Sequence, residues 1–197
     1  MSETHSRFRR FSALKLALTT IVGFVPEGDY DPPTGHLRSP GTIGVSEAAF
    51  AAVLDGVARS LKAGGFTTIC FIADHAGSLK PQAEVAARLS QEWAGQGVRV
   101  IDVTDYYADE PQTRFLRDQG ETPASIGLHA GITDTSELMA AHPAGVDLAR
   151  FADAPFTLEP NGVSGDPTKA SAERGRALLD IKVEAAVRQI KALAGGM

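Results

Sequence analysis

The chain has 197 residues, 43% of them hydrophobic and 22% charged, with 20 Gly and 11 Pro. That length suits one domain spanning 1–197 with a real core, and the apolar content excludes a disordered or fibrous protein. Lys and Arg total 19 against 24 Asp and Glu, a net charge of −5, which gives no electrostatic reason to expect nucleic acid or an anionic membrane as partner. A single cysteine, Cys70, cannot close an internal disulfide and points to a reducing, cytoplasmic setting.

Residues 1–6 read as a disordered end. A basic stretch with Arg7, Arg9, Arg10 and Lys15 then runs into apolar residues 16–25. An amphipathic helix over 6–16 feeding a buried strand over 19–25 is the expected arrangement. A signal peptide is the alternative, opposed by Lys15 inside the run and by the lack of an A-x-A-like cleavage site. No segment reaches the ~18 uninterrupted apolar residues of a membrane span.

Residues 26–42 form a loop dense in Pro and Gly, too long for a simple connection and of the kind that serves a site. Ser46 is placed to cap a helix with Phe50, Val53, Leu54, Val57 and Leu61 at helical spacing, ended by Gly64 and Gly65. The run F-T-T-I-C-F-I-A at 66–73 suits a strand buried on both faces, with Cys70 in the core. A helix over 81–93 follows, with Pro81 in its first turn, and then a second apolar strand over 98–103. This is a βαβ unit, and such units bind ligands at the carboxyl ends of their strands, where Asp74 and 102–107 lie.

Downstream, residues 109–120 suggest a surface helix. The small-residue loop 127–131 opens another, in which Asp134 and Glu137 have capping-box spacing with Asp134 as cap. A Gly/Pro-rich loop over 155–167 precedes a final helix over 169–194, with Leu179, Val183, Ala186, Ile190 and Leu193 on one face.

Three of the five histidines, His36, His75 and His129, sit in loops beside Gly or Pro. A single loop histidine is usually structural; three of them, with Asp74 and Asp134 nearby, point to a metal or hydrolytic site. Neutral imidazole is a zinc ligand and a good acid or base near neutral pH. The chain has no H-E-x-x-H, no G-x-S-x-G, no Walker loop and no G-x-G-x-x-G.

Four motifs, in order, carry a resemblance. H-A-G-I-T-D-T-S at 129–136 resembles the H-A-G-x-x-[E/D]-T-S signature of the creatininase family of amidohydrolases. I-A-D-H-A-G at 72–77 resembles that family's strand followed by N-G-H-G-G-N, and G-H-L-R-S-P-G-T-I at 35–43 resembles its H-x-x-F-P-G-T-I. G-V-S-G-D-P-T at 162–168 is similar to its late G-V-x-G-D-P-T. The resemblance implies an α/β protein, a three-layer α/β/α sandwich with a mainly parallel sheet, assembled as a homo-oligomer. It implies a divalent metal (zinc first, with manganese or iron as alternatives) and hydrolysis of a C–N bond in a cyclic or linear amide by a metal-activated water. On the matched positions His129 is the catalytic acid or base, and His75 and Asp134 are metal ligands. His36 and Asp74 are assigned to a small-molecule amide substrate.

The family's early ligand segment, E-x-H-G-x-H-L-P-x-x-T-D, has no counterpart; Glu3-Thr4-His5 matches only E-x-H, and Gly77 stands where some members carry a second-metal glutamate. Two other readings follow from this: a catalytically impaired member acting as a subunit or small-molecule binder, and a nucleotide-binding α/β domain. The lack of a glycine-rich phosphate loop speaks against the last.

Overall fold

A computed structural model describes residues 21–152, 157 and 161–194. The expected helix over 6–16, together with Glu3 and His5, lies outside the described residues. Helix α1 (Glu47–Ala63) starts where its cap predicts: the Ser46 hydroxyl accepts the Ala49 N–H at 3.1 Å, and Phe50, Leu54 and Ala58 are buried at helical spacing. Strand β1 (Thr68–Phe71), helix α2 (Ala76–Glu92) and strand β2 (Arg99–Asp102) form the expected βαβ unit. The strands pair in parallel, with Ile69 opposite Val100 and Cys70 opposite Ile101.

The faces of this pair explain its uninterrupted apolar sequence. Ile69, Phe71 and Val100 pack against α1 and α2 through Phe50, Leu54, Val85, Leu89 and Trp93. Ile101 and Val103, with half-buried Cys70 and Tyr106, pack instead against Ala186 and Ile190 of helix α6 (Ala172–Ala194). Both faces are covered by helix, so alternation is lost and both strands read as apolar runs.

The described residues hold two strands rather than a broad sheet. The strand expected over 19–25 does not form within 21–25. Val45 N–H donates to the Val25 carbonyl at 3.1 Å, but Ile21 and Phe24 remain exposed, and Pro26 has no N–H to extend a ladder. Among the described residues the chain is mostly helical, and no helix is long and apolar enough to cross a membrane.

A second core joins α3 (Asp109–Asp118), the short α4 (Pro123–Ile126), α5 (Ile132–Ala141) and α6 through Leu116, Ile126, Ile132 and Leu178. The buried face of α6 is Gly175, Leu178, Lys182, Ala185 and Ala186; of the expected Leu179, Val183, Ala186, Ile190 and Leu193 face, Ala186 and Ile190 pack inward while Val183 and Leu193 are exposed. The helix turns this way because α5 approaches it at Gly175. A methyl group there would lie 1.8 Å from the Ser136 carbonyl oxygen.

Glu121 ties α4 to the start of α6. Its carboxylate accepts from Lys169 at 2.8 Å, from the Ser125 hydroxyl at 2.8 Å and from Arg174 at 3.0 Å. The Lys169 ammonium, with help from Ser125 and Arg174, holds this carboxyl at about 2 rather than an ordinary 4.5. A carboxylate depressed by folding contributes stability in full above its unfolded value and loses it as pH falls toward the folded value. The protein should therefore lose melting temperature between pH 5 and 2 more steeply than Glu121→Gln, which should be about 1 kcal/mol less stable at neutral pH. Parallel melting curves for the two proteins across that range would refute the assignment.

Candidate functional site

The Pro- and Gly-rich loop after residue 25 doubles back on itself. The His36 N–H donates to the Glu27 carbonyl at 2.9 Å, and the Thr34 N–H donates to the Asp29 carbonyl at 3.1 Å. Two residues nine positions apart are thereby set side by side. His75, directly after β1 and Asp74, comes to meet them. Its Nε2 lies 3.2 Å from Glu27 Oε2, and the His36 and His75 ring centroids are 6.1 Å apart. Ligand atoms of Glu27, His36 and His75 all fall within 4.8 Å of one another, and all three side chains are half-buried.

A carboxylate and two imidazoles converging from one side form the donor set of an open zinc site, so these residues fit a divalent cation. The other ring nitrogen of His75 is also engaged. Nδ1 accepts the Gly77 N–H at 3.1 Å and caps α2, which is why that helix begins at Ala76 and not at Pro81. Pro81 is left inside the helix, fully buried. Gly77 is required by a close approach: a Cβ there would lie 2.0 Å from the Pro26 carbonyl oxygen. Any side chain at 77 would push away the segment that delivers Glu27.

His129 approaches from the other side. The loop that carries it is zipped to the G-V-S-G-D-P-T loop. Ser164 N–H donates to the His129 carbonyl at 2.7 Å, and Leu128 N–H donates to the Ser164 carbonyl at 3.2 Å. His129 Nδ1 sits 2.6 Å from the Gly162 carbonyl oxygen, a bond that requires the proton on Nδ1 and leaves Nε2 free as base or acceptor. Its ring stacks on His36, with centroids 4.7 Å apart and planes at 30°. The rest of the motif holds this loop in shape. Asp134 accepts the Ala130 N–H at 2.6 Å, the Thr135 hydroxyl donates to the Ala130 carbonyl at 3.1 Å, and buried Ser136 accepts the Ser171 N–H at 3.2 Å.

The three histidines face one cavity of about 540 Å³, lined also by Asp74 and Asp134. All five residues singled out from the sequence thus reach one site. Their roles separate. His36 and His75 enter the convergent donor group; Asp134 lies outside it, its carboxylate turned to backbone. Asp134 is also not the helix cap: α5 begins at Ile132, and Gly131 holds the cap position. Glu137 turns inward instead, accepting from Gln112 and, at 3.1 Å, from Lys182.

Two participants escaped the sequence reading. Glu27 is the acidic residue just after the first apolar run, a usable signal hidden by the loop that separates it from His36. Lys182, within the last helix, lies at the cavity wall and pairs with Asp74 and Glu137. Burial works to lower the Lys182 pKa, but the two carboxylates outweigh it and hold the ammonium above its ordinary value. Burial pushes the Glu137 carboxyl up, against the pull of Lys182 and Gln112. Tyr107 also lines the cavity, while Trp93 belongs to the core.

The loop after β1 thus brings His75 to Glu27 and His36, beside the third, oriented histidine, His129. The sequence model of the creatininase family (creatinine amidohydrolase) matches residues 10–190, and the chain belongs to that family. The fold is similar to a crystal structure of creatinine amidohydrolase, with a TM-score of 0.65 at 22% identity, covering 86% of this chain and 72% of that one. It is also similar to a structure described as creatininase Mn, with a TM-score of 0.62 at 23% identity over 79% of this chain and 68% of that one. A mutant creatininase described as Zn-Zn type aligns with a TM-score of 0.56 at 20% identity, over 86% and 72%. No curated protein gives a significant match.

Proposed function

We propose that the protein is a metal-dependent amidohydrolase acting on a C–N bond of a small cyclic or linear amide. The observation that carries this reading is the convergence of Glu27, His36 and His75 next to the oriented ring of His129, with the three histidines lining one cavity. Glu27, His36 and His75 hold the metal, zinc before manganese or iron. A divalent cation bound there supplies polarisation of the amide carbonyl and activation of water.

The chain's own groups do the rest. His129, with Nδ1 bound to the Gly162 carbonyl, offers Nε2 to the cavity, where it takes a proton from the attacking water and returns it to the leaving nitrogen. Asp134 keeps that loop in register, and the Asp74 carboxylate at the cavity edge receives hydrogen-bond donors of the substrate. We further propose a single domain in which the parallel pair belongs to a three-layer α/β/α sandwich, working as a homo-oligomer in the cytoplasm, a compartment that the single cysteine suits.

The test is metal analysis of the purified full chain together with hydrolysis of a panel of cyclic and linear amides. Zinc or manganese bound in stoichiometric amount and turnover of one panel member are expected. His129→Gln should lower kcat by 10²–10⁴ with metal content unchanged. A chain that retains no divalent metal sinks the reading. A second reading, a small-molecule binder without catalysis, is favoured by Gly77 at the position of the second-metal glutamate; it requires metal binding with no turnover.

A further inference from the structure

Lys182 is 5% exposed on a helix whose other buried residues are Gly175, Leu178, Ala185 and Ala186. Its ammonium donates to Asp74 and, at 3.1 Å, to Glu137 Oε2, and it lies 4.8 Å from the centroid of the Tyr106 ring. Stability alone does not call for such a group. A buried ion pair is often matched or bettered by an apolar residue of similar volume, and α6 is otherwise packed by small and aliphatic side chains.

What distinguishes Lys182 is the pair of segments it joins. Asp74 directly precedes His75, so it belongs to the loop that completes the metal-ligand group. Glu137 sits on α5, whose leading loop carries His129 and Asp134. Those segments are rooted in separate cores, one built by α1, β1, α2 and β2, the other by α3 through α6. A third cluster, Ile101 and Val103 against Ala186 and Ile190, also bridges them, but it lies on the strands and not at the cavity.

We propose that Lys182 is a positioning residue: by holding Asp74 and Glu137 together it fixes the His75 loop against α5, and so sets the metal-ligand group relative to His129. An ammonium suits this task because it offers three donors from one point and satisfies two carboxylates at once. Side chains that orient ligands from outside the coordination sphere are worth roughly 10–100-fold in metal affinity. The metal readout below rests on the proposed metal site; the spectroscopic one does not.

The test compares Lys182→Met, Lys182→Arg and Ile190→Ala with the wild type, all as full chains. Carbon–proton spectra of the histidine rings, recorded without metal, should show the His75 and His129 signals both displaced in Lys182→Met and largely restored in Lys182→Arg. Ile190→Ala loosens α6 away from the cavity and should leave both signals in place. Zinc affinity, measured by competition with a chelator, should fall about tenfold in Lys182→Met and recover in Lys182→Arg.

Lys182→Met leaves two carboxylates facing each other at the cavity wall and can fail to fold. The double variant Lys182→Met, Glu137→Leu removes one of them, should fold, and should still displace both ring signals. Unmoved ring signals in whichever of these variants folds, or displacement of only one ring, overturn the proposal. If the wild type binds no zinc, the metal reading falls and the ring spectra alone decide the role of Lys182.

Discussion

Replacing His75 with asparagine should cut zinc affinity by two to three orders of magnitude while leaving α2 in place. A structural zinc site provides about 10–16 kcal/mol over four ligands, so each ligand contributes roughly 3–4 kcal/mol, or 10²–10³ in affinity. Asparagine is chosen because His75 also caps α2 through Nδ1, and an Asn side chain supplies a replacement acceptor for the Gly77 N–H. Glu27→Gln, which keeps shape and removes charge, should lose a comparable amount. Asp134→Asn should change zinc affinity less than about threefold, since that carboxylate binds the Ala130 N–H and not the donor group. Chelator competition on the folded variants measures all three. A loss in Asp134→Asn equal to that in His75→Asn would make Asp134 a ligand and dismantle the Glu27–His36–His75 assignment.

A large stability effect away from the donor group is expected at Gly175. An alanine there brings its methyl carbon to 1.8 Å from the Ser136 carbonyl oxygen and 2.9 Å from the Ala140 Cβ. Neither contact can be relieved by a rotamer change, because the first is backbone and the second has no rotamers. α5 and α6 must move apart along their length, loosening Leu178 and Ile132. Overpacking of this kind costs about 3 kcal/mol or more, which corresponds to a fall of roughly 6–12 °C in Tm for a chain of this size. The same separation pulls Glu137 from Lys182. A thermal melt of Gly175→Ala within 2 °C of the wild type, about the shift of 1 kcal/mol, would mean the helices do not meet as described.

What the sequence made legible is local. The cap at Ser46, the two apolar strands and the H-A-G-x-x-D-T-S run each announce themselves within a few residues, and the structure uses them where they stand. The pairing of 129–136 with 162–168 is announced by no local spacing; it rests on the short ladder between His129 and Ser164. Glu27 was missed because no spacing rule joins residues 27, 36 and 75; only the doubled-back loop does. Lys182 was missed because helical periodicity treats a lysine as a solvent-facing residue, and its burial depends on carboxylates 45 and 108 positions away in sequence. The face of α6 was read only in part, Ala186 and Ile190 packing inward but Val183 and Leu193 not. A stripe of Leu and Val suggested one face, while the close approach at Gly175 selected another. Asp134 was read as a cap from spacing that fits equally well an acid in the first turn reaching back to the preceding loop.

The bond from the His36 N–H to the Glu27 carbonyl has a consequence for how binding would proceed. Two of the three donors are held by short-range chain geometry, so their spacing survives loosening of either core. The third, His75, stands between β1 and α2 and depends on long-range packing. If Glu27, His36 and His75 hold the metal as proposed, Glu27 and His36 would form a low-affinity half-site that persists when the rest of the molecule fluctuates, and His75 would act as the closing jaw. Substitutions in the core should accordingly accelerate metal release more than they slow metal capture.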